Sequence, residues 1–413
     1  MTVPRMPVEQ AIERILAAVH ALPPEIVPLA DALGRVLTDV VVARHTHPAW
    51  RNSAMDGYAV HAADVRAAST AVPIRLTVAG TIAAGDPPPA AVARGTAWRI
   101  MTGAPVPDGI DTVIRVEDTD GGESIVGINN DRDLEHNIRP RGEDFMEGDR
   151  LIDAGTPLRP AHIGLAAGCG HDALHVVRRP RIAILTSGNE LVDIDGFDEV
   201  LAGRRIVNTN SYALAAAVRA AGGAPVMLGI AADTPASITE RITGAPPFDV
   251  LITCGGISVG AFDYTRDVVR RLGATLDFWR VRMRPGGPFG FGMLDDRPWF
   301  GLPGNPVSAL VTFELFVRPA LLRMGGHRAV LRKPIPVRLA ESVHSPGDLT
   351  HYLRATVNDE GEAVLTGRQS SGMLTSMAAA NALLIVPPDV TYLPQGSMAS
   401  AIMLHDNSLW AAT

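Results

Sequence analysis

The sequence predicts a multidomain fold in which a central α/β domain, built on a parallel sheet, lies between two β-rich regions. Three observations support this prediction. From about residue 180, apolar runs alternate with helical patterns; between residues 46 and 144, short β-prone runs are separated by Pro and Gly; and after about residue 332, β-prone runs return. Apolar strands that are each followed by a helix are typical of a parallel sheet covered on both faces.

The composition limits the class of protein. The chain has 413 residues, a formal net charge of -7 and 46% hydrophobic residues. At roughly 100–200 residues per domain, this length indicates two to four domains. The acidic balance argues against a nucleic-acid partner, although a small anion needs only a local site. No apolar run approaches the roughly 18 residues that span a bilayer, so no membrane contact is expected. Cys169 and Cys254 are expected to be buried, reduced thiols of a cytoplasmic protein.

The N-terminal elements follow from periodicity and from proline. Apolar residues at positions 8, 12, 15, 16 and 19 share one face of a helix, which Pro7 can begin and Pro23 ends. A short helix is predicted at 29–33, closed by Gly34, and a strand at 36–42. The runs between residues 46 and 144 predict a small, mostly β unit with long connections.

The α/β region is predicted element by element. Strands are expected at 181–185, 226–230, 249–253 and 299–302, and helices at 211–221, 236–242, 266–272 and 306–323. The runs after residue 332 predict a separate C-terminal β domain. In open parallel sheets, ligands bind beyond the carboxyl ends of the strands. Functional residues are therefore expected in the segments that follow these strands.

A glycine-rich segment, CGGISVGAFDYT, follows the strand at 249–253. Gly255, Gly256 and Gly260 would let the backbone approach an anion and turn N–H groups towards it. A purely structural turn is an equally good alternative. Asp263 could simply cap the next helix. If it lies beside a bound phosphate instead, a divalent cation must intervene, and Mg²⁺ is the natural candidate.

The segment GLPGNPVSAL follows the last strand of this region. Asn305 and Pro306 suit the start of a helix, which would be a structural role. Pro303 and Gly304 shape a rigid loop at the same edge of the sheet. A ligand contact is therefore at least as good an interpretation.

A basic residue and two acids lie near the same edge. In MRPGGPFGFG, Arg284 could bind an oxyanion, with Pro285 and Pro288 stiffening the loop, or it could be a solvated surface side chain. Glu190 and Asp233 follow two other strands, and Asp233 could cap a helix. Because the topology gathers these strand ends, the acids are expected to lie close together with Asp263.

Six segments of the chain are specific enough to indicate a family. They are RNSAMDGYAV, RIMTGAPVP with DTVIRVED, NIRPRGEDF, LTSGNEL, CGGISVGAFDYT and GLPGNPVSA. They occur in the order seen in the MoeA and gephyrin E-domain family, which the chain resembles over nearly its whole length.

The resemblance implies a homodimer of four-domain subunits. An α/β molybdopterin-binding domain would comprise 1–23 and 180–328, a connecting domain 24–42 and 146–179, an inserted β-rich domain 43–145, and a β-barrel-like domain 329–413. The implied activity is that of a molybdopterin molybdenumtransferase, which inserts molybdenum from molybdate into adenylylated molybdopterin with Mg²⁺-dependent release of AMP. The implied partners are the molybdopterin adenylyltransferase and molybdoenzyme chaperones.

Site residues are carried over from the family by motif position. The catalytic positions match Asp56, Thr102, Asp144, Glu190, Asp233 and Asp263. The last three would surround the metal, and the first three would reach the site of the partner subunit. The substrate would contact Gly255, Gly256, Ser258, Gly260, Pro303, Gly304, Asn305 and Pro306. Molybdate would contact Arg284, Pro285, Pro288, Arg354 and Ser371.

One position departs from the family pattern. Where the family often has KPGKP, this chain has RPGGP, so that Arg284 keeps the first charge and Gly287 removes the second. This leaves open a catalytically altered paralogue. A scaffold that binds molybdopterin or partner proteins without efficient turnover is a separate alternative, and the intact catalytic positions argue against it: Asp56, Thr102, Asp144, Glu190, Asp233 and Asp263. A nucleotide hydrolase would suit the α/β region, but the motifs NSAMDGYAV and RIMTGAPVP argue against it.

Overall fold

The chain, described by a computed structural model over residues 5–256 and 264–404, divides into two compact units. We call Met1–Ile26, Gly34–Thr38 and His175–Thr413 the α/β–barrel unit, and Val27–Leu33 with Asp39–Leu174 the β-rich unit. The four-domain division that the resemblance implies stays a prediction.

A six-stranded sheet forms the centre of the α/β–barrel unit. Its strands are β1 (Arg181–Ser187), β2 (Ala224–Ala231), β3 (Val250–Cys254), β4 (Thr275–Arg280), β5 (Pro288–Leu294) and β6 (Arg297–Leu302). The order is β2-β1-β3-β6-β5-β4. β2, β1, β3 and β6 pair in parallel, as predicted, whereas β5 is antiparallel to both of its neighbours.

The sequence analysis missed β4 and β5. In β5, Gly290 and Gly292 made the segment resemble a loop. A Cβ atom on Gly290 would lie 2.7 Å from the Trp279 ring, and one on Gly292 would lie 2.5 Å from the Thr275 carbonyl oxygen. These glycines therefore make room for the strand beside them. Glycine in a strand interior is otherwise unfavourable, which is why its presence argues against a strand.

Helices cover both faces of the sheet. They are α1 (Val8–Ala18), α2 (Phe197–Leu201), α3 (Thr209–Ala220), α4 (Pro235–Thr243), α5 (Thr265–Arg271), α6 (Pro306–Thr312) and α7 (Arg318–Met324), with a π-helical turn at Phe313–Val317 between the last two. Ile182 and Ile184 of β1 pack with α1, α3, α6 and α7. Ala183 and Leu185 pack with α4 and α5 on the other face. This alternation along one strand confirms the predicted two-sided burial.

A closed five-stranded barrel forms the C-terminal part of the same unit. Its strands, in order, are Thr350–Val357, Glu362–Leu365, Ile335–Leu339, Met398–Met403 and Ala382–Val386, and the last pairs with the first. Met283–Arg284 adds to the first strand in parallel. Shorter elements are Leu191–Val192, Ile206–Val207, Val343–His344, Tyr392–Leu393 and the helix Leu374–Ala378. The β-barrel-like fold predicted for the C-terminal region is thus confirmed.

The β-rich unit is built around a five-stranded sheet. The strands, in order, are Thr112–Arg115, Gly57–Val60, Thr96–Ile100, Ile74–Ile82 and Ile125–Ile128. Short strands lie at Val41–Val42, Asn52–Ser53, Ile138–Arg139 and Arg150–Ile152, and helices at Ala62–Val65 and Pro160–Gly168. The strands Pro24–Pro28 and Ala173–Val177 lie at its chain boundaries.

Two local predictions in the N-terminal region were partly wrong. The strand expected at 36–42 is present only at Val41–Val42, and the short helix expected at 29–33 is a 3₁₀ turn at Leu29–Asp31. Both segments are too short for periodicity to separate a strand from an irregular turn. Among the described helices, none is long and apolar enough to cross a membrane.

Candidate functional site: two adjoining pockets

Two pockets lie side by side in the α/β–barrel unit. The first, of about 790 Å³, follows the carboxyl ends of β1, β2, β3 and β6 and contains Glu190 and Asp233; we call it the carboxylate pocket. The second, of about 700 Å³, is lined by Arg5, Arg280 and Arg284; we call it the arginine pocket. Pro288, Asn305 and Ser308 line both, so the two pockets share a wall.

The glycine turn after β3 requires glycine on two counts. Gly255 and Gly256 have φ values of +93° and +61°, which side chains rarely adopt. A Cβ on Gly255 would lie 2.6 Å from the Ser187 carbonyl oxygen, and one on Gly256 would lie 2.6 Å from Oγ1 of Thr265. Both glycines line the carboxylate pocket. The predicted residues Ser258, Gly260 and Asp263 lie outside the described residues, as does the capping alternative for Asp263.

Ser187 is a pocket residue that the sequence analysis missed. It ends β1, lines the carboxylate pocket, and is 9% exposed. Its buried Oγ has no hydrogen-bond partner among the described residues. A buried hydroxyl without a partner is costly, so this atom is available to a ligand. The only signal in the sequence was its place at a strand end, in the LTSGNEL segment.

Hydrogen bonds from one residue of α3 and one of β3 hold the loop after β6 in place. Nδ2 of Asn210 donates to the Gly304 carbonyl oxygen at 2.7 Å and to Sγ of Cys254 at 3.2 Å. The Cys254 thiol donates to the Pro303 carbonyl oxygen at 3.1 Å. Burial raises the pKa of Cys254 to about 12, so the thiol stays a protonated donor. The sequence analysis predicted a buried thiol but not this role.

Asn305 and Pro306 begin α6, as predicted. Pro306 occupies the first turn, and Asn305 precedes it without a capping hydrogen bond from its side chain. Asn305 lines both pockets. Asn305 is therefore part of the shared wall, and its side chain does not cap the helix.

The two described carboxylates lie at neighbouring strand ends. Asp233 accepts from the Asn189 N–H at 3.0 Å, and its own N–H donates to Oδ1 of Asn189 at 3.1 Å. Thr234, not Asp233, caps α4, by accepting from the Ser237 N–H at 3.3 Å. The capping alternative for Asp233 was therefore wrong. Glu190 folds back over Gly188, where a Cβ would lie 2.7 Å from its Oε2 atom.

Neither acid has a cationic partner within residues 5–256 and 264–404. In the same ranges, no group of three or more His, Cys, Asp or Glu side chains is placed to hold a metal. Two of the three predicted ligands, Glu190 and Asp233, do line one pocket. The third, Asp263, is outside the described chain.

The arginine pocket contains cations and neutral polar groups. Its lining comprises Arg5, Arg280, Val281, Met283, Arg284, Pro285, Gly286, Gly287, Pro288, Asn305, Ser308, Leu349, Gln369, Ser370 and Ser371. No acid is among these described residues. Four of the five predicted molybdate contacts, Arg284, Pro285, Pro288 and Ser371, therefore lie in this one cavity.

Arg354, the fifth predicted contact, has a different position. It is fully buried, and it donates to Oγ of Ser376 and to the carbonyl oxygens of Arg368, Gln369 and Ser370. This placement differs from the direct molybdate contact that the resemblance implies. Arg354 instead holds in place the loop that carries Ser370 and Ser371.

In the β-rich unit, two predicted residues contact each other. The Thr102 N–H and hydroxyl donate to Oδ1 of Asp56 at 2.7 and 2.8 Å. These two hydrogen bonds lower the pKa of Asp56 below its usual value, so the exposed carboxylate is ionised at neutral pH. Asp144 is also exposed, and its N–H donates to the His47 carbonyl oxygen at 3.2 Å.

Comparisons with known proteins identify the family. The MoeA N-terminal region (domain I and II) matches residues 6–170, a probable molybdopterin binding domain matches 183–323, and the MoeA C-terminal region (domain IV) matches 336–404. Molybdopterin molybdenumtransferase 2 of Mycobacterium tuberculosis is 38% identical over 398 residues, which cover 94% of this chain and 97% of that protein. The chain belongs to the molybdopterin molybdenumtransferase family.

Other members of the molybdopterin molybdenumtransferase family extend the match. The Nostoc enzyme is 36% identical over 390 residues, covering 92% of this chain and 88% of that protein. The crystal structure of the molybdopterin biosynthesis MoeA protein of Pyrococcus horikoshii OT3 superposes with a TM-score of 0.80 at 27% identity, covering 97% of this chain and all of that one. The family and the fold class predicted from the sequence are both confirmed.

Proposed function

We propose that this family member inserts molybdenum from molybdate into the dithiolene of adenylylated molybdopterin, with Mg²⁺-dependent release of AMP, and so forms molybdenum cofactor. The observation that carries the proposal is the pair of pockets of opposite charge that share a wall. Carboxylates and a glycine turn suit a metal-bound polyphosphate, and arginines with hydroxyls suit a tetrahedral dianion. The shared wall would keep the two reactants adjacent, which lowers the entropic cost of their reaction.

In the carboxylate pocket, this chain's residues would bind and orient the pterin nucleotide. The turn at Gly255 and Gly256 lets a phosphate approach the backbone closely. The Ser187 hydroxyl, which has no hydrogen-bond partner in the part of the chain that the structure describes, offers a further donor. The reciprocal bonds between Asp233 and Asn189 hold the Asp233 carboxylate in place before substrate arrives.

The donors of the carboxylate pocket fit Mg²⁺. Mg²⁺ is usually bound through one or two carboxylates together with substrate phosphates and waters. Glu190 and Asp233 supply two carboxylates that no described cation neutralises. We propose that they hold the ion with Asp263. Bound there, Mg²⁺ would neutralise the pyrophosphate and so favour cleavage of the phosphoanhydride.

The arginine pocket would bind molybdate. The guanidinium of Arg284 can hold two oxygens of the anion at once. The Ser371 hydroxyl would donate to a third. Arg354 would act through the loop that it holds, and the turn at Pro285 and Pro288 would shape the cavity.

The remaining proposals concern assembly. We propose a homodimer in which Asp56, Thr102 and Asp144 serve the carboxylate pocket of the partner subunit. The ionised, exposed Asp56 supports a role towards a ligand outside its own unit. We further propose that the protein works in the cytoplasm, receives its substrate from the molybdopterin adenylyltransferase, and passes its product to molybdoenzyme chaperones.

Reconstitution tests this function directly. Purified protein with adenylylated molybdopterin, MgCl₂ and molybdate is expected to release AMP and to activate an apo molybdoenzyme. Omission of molybdate or chelation of Mg²⁺ should stop both readouts. Tight binding of adenylylated molybdopterin without AMP release at any molybdate concentration would contradict the transferase proposal. It would instead support the alternative, a paralogue or scaffold that does not turn over. Of these two, Gly287 in place of a lysine favours the paralogue.

A further inference from the structure

The arginine pocket contains two cations that no motif pointed to, Arg5 and Arg280. Met6 forms a parallel bridge with Val281, in which the Met6 N–H donates to the Arg280 carbonyl oxygen at 2.9 Å and the Arg282 N–H donates to the Met6 carbonyl oxygen at 2.7 Å. This register sets Arg5 beside Arg280. Both residues line the arginine pocket together with Arg284.

Within residues 5–256 and 264–404, these three arginines lack the acidic partners that other arginines have. No acid is among the described residues that line the pocket. By contrast, Arg14 pairs with Asp277, three residues before Arg280 on the same strand. Like charges gathered in one cavity repel each other unless an anion binds between them. The arrangement therefore favours an anion that contacts more than one guanidinium.

The turn at Gly287 explains why part of the positive charge of the arginine pocket comes from residues outside this turn. Gly287 is outside the left-handed region, but a Cβ there would lie 3.1 Å from the Met283 carbonyl oxygen. The Gly287 carbonyl oxygen accepts from the Val281 N–H at 2.9 Å, so Gly287 lies next to the strand end that carries Arg280. A cation at Arg280 can thus serve the space that a side chain at residue 287 would serve.

We propose that Arg5 and Arg280 bind the oxyanion directly, together with Arg284, and supply the positive charge that the turn lacks at Gly287. The inference rests on the proposed function, in which this oxyanion is molybdate. It assigns two binding residues to a pocket whose motif supplies only one cation.

Calorimetric titration of the purified full-length protein with sodium molybdate tests the proposal. Arg280→Gln is expected to weaken molybdate binding by about 10- to 100-fold, since it removes a charged hydrogen-bond donor. Arg5→Gln should weaken it less, by about 3- to 10-fold, because Arg5 is exposed. Arg280→Lys should keep most of the affinity, since it keeps the charge.

Arg282→Gln is the matched control. Arg282 lies two residues further along the chain, its Nε donates to the Asp348 carbonyl oxygen at 2.8 Å, and it is not among the lining residues of the pocket. Its molybdate affinity should equal that of the wild type. Circular dichroism and melting curves would establish that every variant is folded. If Arg280→Gln does not fold, Arg280→Lys and Arg5→Gln still test the proposal.

The outcomes separate the inference from the proposed function. If Arg5→Gln and Arg280→Gln bind molybdate like the wild type while Arg284→Gln loses binding, the inference is wrong and the function stands. If wild-type protein neither binds molybdate nor releases AMP in its presence, both are wrong. A parallel titration with inorganic phosphate covers the other tetrahedral anion. If Arg5→Gln and Arg280→Gln lose phosphate binding but bind molybdate like the wild type, the two arginines bind the substrate phosphate, and the proposal is overturned.

Discussion

The carboxylate pocket and the arginine pocket differ in charge although they share a wall. Glu190 and Asp233 line one, and Arg5, Arg280 and Arg284 line the other. Elsewhere the molecule combines the same residue types into ion pairs. Arg178 and Asp249 form a bidentate pair with N–O distances of 2.7 and 2.8 Å, and Arg115 and Asp133 form a similar pair.

This contrast separates the charges that stabilise the fold from those that are kept for ligands. A paired carboxylate satisfies its guanidinium within the protein, whereas separated pockets of opposite sign need their counter-charge from outside. Charged groups without partners in a cleft are candidates for function. Variants of both classes of charge test this distinction.

Asp233→Asn should lower the rate of AMP release at least about 100-fold, because it removes a charge from the proposed Mg²⁺ site while it keeps an acceptor for the Asn189 N–H. A continuous assay of AMP at saturating substrate measures this. Thr234→Ala is the matched control on the neighbouring residue. As the cap of α4, it should lose about 0.5–2 kcal/mol of stability and keep its turnover. Full turnover of folded Asp233→Asn would remove Asp233 from the catalytic set.

Mixed dimers test whether the β-rich unit serves the partner's carboxylate pocket. Asp56→Ala and Asp233→Asn should each be inactive alone. Random exchange of equal amounts makes half of the dimers mixed, each with one intact site, so about a quarter of wild-type activity should return. Size-exclusion chromatography and differently tagged subunits would establish exchange. No recovery after complete exchange would mean that the sites form within one chain.

Gly287→Lys tests how the arginine pocket obtains its charge. In the Arg280→Gln background, the new lysine should lower the molybdate concentration for half-maximal AMP release by about tenfold, because it restores a charged donor. In the wild-type background the gain should be smaller, since Arg280 already supplies that charge. Gly286→Ala is the contrasting control: its φ is +94° and a Cβ would lie 2.5 Å from Cγ2 of Thr312, so it should mainly lower stability. Equal gains in both backgrounds would show that Arg280 and residue 287 act independently.

Asp249→Asn tests the charges that form ion pairs within the protein. It should have the smallest effect on activity. Burial alone would raise the pKa of Asp249, but hydrogen bonds from Arg178 and from the Arg181 N–H outweigh it and lower the pKa below its usual value. Its stabilisation is therefore present above the unfolded pKa of about 3.9 and is lost as the pH falls through the lower folded value. At pH 7 the variant should lose about 1.5–3 kcal/mol of unfolding free energy, with AMP release unchanged. Urea unfolding at pH 7 and below pH 4 measures the difference in unfolding free energy between the wild type and the variant. An equal difference at both pH values would contradict the link between the pKa of Asp249 and stability.

The sequence predicted a large part of the site because strand ends in a parallel sheet meet at one edge. That rule brought Glu190, Asp233, Gly255 and the Pro303–Pro306 loop into one pocket. It did not reveal Ser187, Asn210 or Cys254, since a buried hydroxyl or thiol has no pattern of its own. Nor did it reveal Arg5, because residue 5 and residue 280 become neighbours only through the bridge of Met6 to Val281.

The family, the two-sided sheet and the residue types at the edge of that sheet could all be predicted from the sequence. These follow from local information: periodicity selects helix or strand, and glycine, proline and capping residues mark where each element ends. Three features became visible only in the folded chain: the charges separate into two pockets, Thr234 rather than Asp233 caps α4, and Arg354 is buried against a loop. Those outcomes depend on contacts between residues far apart in the chain. Burial and hydrogen bonding, which decide whether a charged group is structural or free for a ligand, exist only once those contacts form.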